Sequence, residues 1–212
     1  KDKSNQTVLG VMIRTKRSEI GYSLRDLAEL TNISHTLISN IETGKQVASD
    51  ATLSDIFRAL DLKLFDDEKI SVKFKKQYNL IFRALVEYEY DKAKKLVTEI
   101  EKDHDIYEHS YEVINYNVIR CFYYTLTNTP LAELSDIKNK YDLVVEFLNE
   151  NQKQMFSFIK GLQYLNMERY KDASNNFYEA LKLGDKNVDV LIKEYNARAL
   201  LRQYKFTDTM AL

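Results

Sequence analysis

The chain has 212 residues, 31 Lys and Arg against 32 Asp and Glu, and a formal net charge of −1, so no global field drives it onto nucleic acid. That length allows one large or two small domains, and a hydrophobic content of 44% can bury a core. One Cys excludes an intrachain disulfide, and the absence of a signal peptide or a long uncharged apolar segment leaves a cytoplasmic, non-membrane protein by elimination.

Only one Pro and five Gly interrupt the chain, which fits an almost all-helical protein with short turns. Residues 1 to 6 are polar. Thr7 to Ser18 is predicted as the first helix, with Val8, Val11, Met12 and Thr15 inward and Arg14, Lys16 and Arg17 as its basic residues. Ser23 to Leu30 is the second, with Ser23 and Asp26 spaced as a capping box. Thr31-Asn32-Ile33 is the turn, and Asn32 suits the left-handed region. Ser34 to Gly44 is the third helix, with Ser34 as N-cap and Gly44 able to close the C-terminus. Ile38 and Ile41 fall on one side; His35, Thr36, Ser39, Asn40 and Thr43 fall on the other. That outer row of small hydrogen-bonding groups suits a DNA major groove better than bulk water. Two short helices across a tight turn, the second outwardly polar, form a helix-turn-helix.

Asp50 to Leu60 is the fourth helix, with Leu53, Ile56, Phe57 and Leu60 at helical spacing, and Leu62, Leu64 and Phe65 complete the domain core. The polar run Asp66 to Lys69 sets the boundary, giving domains 1–68 and 69–212. Residues 1–65 carry nine Lys and Arg against eight Asp and Glu. One such head binds non-specific DNA weakly, which favours a dimer.

From Val72 the texture changes to long amphipathic stretches rich in Tyr. Tyr90-Asp91-Lys92-Ala93 recurs as Tyr170-Lys171-Asp172-Ala173, and Tyr116-Asn117 recurs as Tyr195-Asn196, so a repeat of about 40 residues is expected. Helix pairs are predicted at roughly 73–88 with 90–102, 107–127 with 131–149, and 152–167 with 170–183, followed by 187–204. Tyr107, Tyr111, Tyr116, Phe122, Tyr123 and Tyr124 fall on one long helix, mostly as packing core, and Phe206 to Leu212 reads as the start of a further helix. The array ends without an evident polar cap, so either its end packs on a partner or the chain is cut short there.

Several residues resemble known families. Gly21-Tyr22-Ser23-Leu24, Leu27-Ala28, Ile33-Ser34, Ile38-Ser39, Ile41-Glu42 and Gly44-Lys45 stand as in the Cro/phage-repressor (XRE) helix-turn-helix. Leu9-Gly10, Ile13-Arg14 and Arg17 upstream, and Leu53, Ile56 and Ala59-Leu60 downstream, extend the pattern over about residues 7 to 65. Leu24 replaces a phosphate-contacting Gln of many members, and Ala48 a Pro. The resemblance implies a structural ion pair between Arg17 and Glu42. It places His35, Thr36, Ser39 and Asn40 at base edges and Lys45, Lys16 and Ser23 at phosphates. Leu37 touches a thymine methyl or packs inward.

Gly161, Tyr164, Tyr170, Ala173, Phe177 and Ala180 resemble a tetratricopeptide repeat, with Ser157, Lys160 and Asp185 as departures. The implied fold is all-α: a five-helix repressor-like domain followed by an α-solenoid of helix pairs. Together the halves resemble the Rgg/PlcR-type peptide-pheromone regulators of Gram-positive bacteria. That implies a homodimer on a double-stranded operator, with a short signalling peptide bound by the array. Asn115, Tyr116, Asn117 and Arg120, with Tyr195 and Asn196, are the peptide-binding candidates. The alternatives are a phage- or plasmid-type repressor whose array binds a protein antirepressor, or an array serving only dimerisation. His104 and His109 lack a third ligand for a metal, and no catalytic set or cofactor motif is visible, so an enzyme is disfavoured.

Overall fold

The computed structural model describes residues 3–129, 145, 148–184 and 186–210. Regular structure among them is helical throughout, with one isolated bridge between Phe65 and Ser110. They form two compact units. One holds residues 3–76 and 101–116 with 145 and 148; the other holds 77–100, 117–129, 149–184 and 186–210.

The first unit contains α1 (Lys3–Glu19), α2 (Leu24–Thr31), α3 (His35–Glu42), α4 (Asp50–Leu60) and the start of α5 (Glu68–Val86). α2, α3 and α4 each have a local start signal. Ser23 Oγ accepts from the Asp26 amide at 3.2 Å, and Asp26 Oδ2 accepts from the Ser23 amide at 2.6 Å. Ser34 Oγ accepts from the Leu37 amide, and Ser49 Oγ from the Thr52 amide. Stops are local too. Asn32 at φ 54° and Asp61 at φ 49° end α2 and α4 in the left-handed region.

The apolar faces converge on Ile13, Leu27, Ile38, Ile41, Ile56 and Leu60, all buried. Burying one such side chain stabilises by roughly 1.5–3 kcal/mol. Leu24, Leu37, Ala48 and Leu62 pack against this cluster.

Several expectations are corrected. Four helices, not five, lie in residues 3–60, and the fifth starts at Glu68 and runs on to Val86. Phe65 is not core: it is 37% exposed, and its amide donates to His109 O at 2.6 Å. The single helix expected over 107–127 is two, α7 (His104–Glu108) and α8 (Val113–Leu126). Buried Ser110 breaks it: its hydroxyl donates to Tyr107 O and accepts from the Glu112 amide, a local alternative to helical bonding. Tyr107 and Tyr111 therefore do not share a helix with Tyr116, Phe122, Tyr123 and Tyr124. The helix expected over 131–149 lies outside the described residues, apart from residues 145, 148 and 149.

The second unit contains the end of α5, α6 (Tyr90–Glu101), most of α8, α9 (Glu150–Asn166), α10 (Tyr170–Leu181) and α11 (Lys186–Met210). The further helix expected from Phe206 is instead the end of α11. Three turns in this unit are built alike. Tyr88, Asn128 and Glu168, 40 residues apart, have φ of 59°, 50° and 60°. Each amide bonds the carbonyl three residues back: Leu85, Thr125 and Leu165. The next amide bonds the carbonyl five back: Ala84, Tyr124 and Tyr164. The chain thus leaves α5, α8 and α9 by one recurring device.

Close packing follows the second helix of the pair. Gly161 of α9 lies where any Cβ would fall within 2.5 Å of Phe177 Cδ1 of α10, and Ala173, Phe177 and Ala180 are fully buried. A line of ring contacts joins α5, α8, α9 and α11: Phe82 to Phe122, Phe122 to Phe158, and Phe158 to Tyr195.

Candidate nucleic-acid interface

α3 is fixed from below and from its end. Ile38 and Ile41 anchor its inner face, with 0% and 3% exposure. Thr43 Oγ1 donates to Ser39 O at 2.8 Å, and Asn40 O accepts from the amides of Lys45 and Gln46. Gly44 follows at φ 65°.

α1 holds that end in place. Arg17 Nε donates to Glu42 Oε1 at 2.6 Å, and Arg17 Nη2 donates to Glu42 Oε2 at 2.8 Å. Such a two-point pair fixes orientation as well as distance. Arg17 Nη1 also donates to Tyr22 O at 2.7 Å, so one guanidinium ties α3 to the segment before α2. The bond to Glu42 holds the Arg17 guanidinium above its usual range. Two helical turns before Arg17, Gly10 presses on the same end of α3. A Cβ there would lie 2.5 Å from Ile41 O and 2.8 Å from Glu42 O.

What remains outward is the predicted row. His35 and Thr36 are exposed, with the ring nitrogen and hydroxyl 3.3 Å apart; Ser39 and Asn40 are half-buried. Lys45 is exposed just beyond the helix, and Lys16 is half-buried on α1. Ser23 is exposed but its hydroxyl is engaged in the α2 cap, leaving its neighbourhood as a helix N-terminus. Leu37 resolves toward packing, and Leu24 is half-buried against the same core.

Residues 13–66 match the Helix-turn-helix family model. The match runs from the middle of α1 to the segment before α5. No curated protein and no solved structure matches the chain. The helix-turn-helix supports a DNA-binding transcription regulator. Among the described residues no helix is long and apolar enough to cross a membrane, and no group of three or more His, Cys, Asp or Glu is placed to hold a metal ion.

The six peptide-binding candidates fall in both units. Asn115 and Tyr116 belong to the first unit; Asn117, Arg120, Tyr195 and Asn196 belong to the second. Tyr116 has no exposed surface; it packs on Phe74 and Tyr107 and its hydroxyl lies 2.9 Å from His104 Nδ1. Asn115 Nδ2 donates to Glu112 Oε2. Asn117 Oδ1 accepts from Arg120 Nη1 at 3.5 Å, and both are buried. Asn196 Oδ1 accepts from Ser174 Oγ at 2.8 Å, and burial raises the pKa of neighbouring Tyr195.

Sequence reasoning assigned no role to Gly10, whose contact is made with backbone 31 and 32 residues away. It also missed a polar cluster in the second unit, where the Tyr88 hydroxyl bonds Glu194, Glu194 pairs with Arg198, and Arg198 lies 4.7 Å over the Tyr195 ring. Tyr88 and Glu194 are 106 residues apart, and no spacing rule reaches that far.

Proposed function

We propose that this protein is a cytoplasmic, homodimeric, sequence-specific transcription regulator whose helical array senses a short signalling peptide. Residues 1–68 form the DNA-binding domain and residues 69–212 a tetratricopeptide-like domain. α3 enters the major groove, with His35, Thr36, Ser39 and Asn40 at base edges and Lys45, Lys16 and the Ser23 cap at phosphates. The observation that carries the DNA reading is the division of α3 into a buried Ile38–Ile41 face and an outward polar row, inside a matched helix-turn-helix. An Asn amide in that row can pair bidentately with adenine.

The recurring turn at 88, 128 and 168 supports the repeat reading. Buried polar side chains among tyrosines, Asn117, Arg120 and Asn196, support a ligand-responsive interior. A peptide that binds one arrangement of the two heads better than another shifts the population toward it.

The test of the DNA reading is Asn40→Ala. Loss of one base contact weakens operator binding by about 1–3 kcal/mol, while the melting temperature holds. An unchanged preference for operator over scrambled DNA in a gel shift refutes it. The peptide reading is tested separately, by thermal shift with a pool of short hydrophobic peptides; no shift at saturating concentration counts against it.

A further inference from the structure

The ring contacts of the second unit run in a row and then turn back on themselves. Phe82 near the end of α5 meets Phe122, Phe122 meets Phe158, and Phe158 meets Tyr195 on α11. The turn that ends α5 returns to the same place. There the Tyr88 hydroxyl donates to Glu194 Oε2, one residue before Tyr195. Tyr90 meets Tyr88 edge-on, and its side chain reaches the Tyr195 hydroxyl. Arg198 pairs with Glu194 Oε1 and lies over the Tyr195 ring. α5 is thus joined to α11 by two routes, one through α8 and α9, the other directly from the turn.

The direct route is the unusual one. In a row of stacked helix pairs each step contacts its neighbours. Asn128, at the equivalent turn, does so: its side-chain oxygen accepts from Asn166, 38 residues on. Tyr88 reaches 106 residues on. It does so from φ 59°, a region that Asn adopts readily and a bulky ring does not. A disfavoured backbone held at a contact that bypasses α8, α9 and α10 points to a use for that contact. The two routes also differ in wetness. Phe122 and Phe158 have no exposed surface, whereas Tyr88 is 43% exposed and the Glu194 and Arg198 side chains 42% and 49%. A solvent-facing hydrogen bond and ion pair form the weaker link, so the direct route opens first.

We propose that the Tyr88 turn is a latch. Closed, it fastens α5 and α6 to α11 and, with Arg198, covers Tyr195 at the end of the aromatic row. Released, it lets α11 part from the turn and uncovers the Tyr195 ring with the Arg198 guanidinium beside it. An aromatic or aliphatic side chain fits against such a ring, and a carboxylate next to it finds a charged donor. That a ligand takes this place rests on the peptide reading; the latch itself does not. A ligand holds the latch open only as far as it binds the open form better than the closed one.

Hydroxyl-radical footprinting of the full chain, read by mass spectrometry at single residues, tests it. Tyr195 is 8% exposed and should label slowly in the parent. Tyr88→Phe removes one hydroxyl and Glu194→Ala removes its acceptor. Each should raise the labelling of Tyr195 at least threefold, and the double variant should raise it no further than the stronger single one, because all three release the same contact. Phe177, fully buried between α9 and α10, should stay protected in every variant. Lys182→Gln, which breaks an exposed ion pair to Glu179 at the end of α10, should leave Tyr195 as it is in the parent. The apolar dye anilinonaphthalene sulfonate should fluoresce more with either latch variant than with the parent. Unchanged labelling of Tyr195 in Tyr88→Phe, a double variant whose effects multiply, or no gain in dye fluorescence overturns the inference. A latch that behaves as described in a protein whose melting is indifferent to the peptide pool overturns the peptide reading alone; a peptide-dependent shift with Tyr195 equally protected in Tyr88→Phe overturns the latch alone.

Discussion

Arg17 and Glu42 meet through two parallel hydrogen bonds of 2.6 and 2.8 Å, with side chains only 14% and 3% exposed. Removing one partner strands the other charge in a nearly dry site. Arg17→Ala or Glu42→Ala should cost about 3 kcal/mol, read as a fall in the denaturant midpoint. The double variant Arg17→Met/Glu42→Leu should recover most of that loss, because no charge is left unpaired. Single variants that melt like the parent would remove the pair from the account. A raised guanidinium pKa gives stability that is present below the ordinary arginine range and is lost only as pH climbs through the still higher native value, so ordinary alkaline conditions do not titrate it away.

Gly10 makes a second demand on the same end of α3. With Ile41 O and Glu42 O at 2.5 and 2.8 Å from any Cβ, neither neighbour is a side chain that can rotate aside. Gly10→Ala should force α1 away from α3 and destabilise the head by roughly 1–3 kcal/mol, despite the better helix propensity of Ala. Operator affinity should fall with it, since α3 moves. A stabilised Gly10→Ala protein would show that α1 can shift without cost.

Asp26 offers a pH test. The Ser23 amide, and then its hydroxyl, hold the Asp26 carboxyl below its ordinary value of 3.8. A lowered native pKa gives stability that is present above the ordinary value and is lost as pH falls through the lower, native one. The start of α2 should therefore fray only below about pH 4. An NMR titration of the Ser23 amide should show the step, and Asp26→Asn should abolish it. A Ser23 shift that is flat to pH 2 would contradict the cap.

In the second unit, Gly161→Ala places a methyl group within 2.5 Å of the Phe177 ring. Because Phe177 is fully buried, the ring has nowhere to go without moving α10. A loss of roughly 1–3 kcal/mol is expected. Gly161→Ala combined with Phe177→Leu should lose less than the two single changes added together, the signature of direct contact. Strict additivity in chemical denaturation would deny that contact.

What was legible in the sequence was local. Ser23 with Asp26, Ser34, Asn32 and Gly44 each carry their conformational instruction within a few residues, and each stands in the structure as its chemistry dictates. Periodicity also sufficed for Ile38, Ile41, Ile56 and Leu60, because a helix face is a local property. Ser110 was not legible: a serine inside an apolar helical pattern gives no sign that it will be buried and turn its hydroxyl on its own backbone. Phe65 was read as core, whereas it stays partly exposed, tied to His109 by its amide and by an edge-on contact between the two rings. The candidate polar residues of α8 and α11 were placed correctly on helices, but which way they face depends on neighbours far along the chain, and Asn196 turned out to be committed to Ser174.

The turns at Tyr88, Asn128 and Glu168 also set a unit of growth. On the proposed repeat reading, a gene segment cut at two such turns carries one step of the array, and joining it in again would meet the same turn on both sides. Gains and losses of 40 residues therefore leave each junction chemically familiar. A change of four residues instead would rotate every later side chain by about 40° about its helix and slide it by about 6 Å. Length variation in proteins of this build should come in whole steps, with odd remainders confined to segments between helices, such as 182–184.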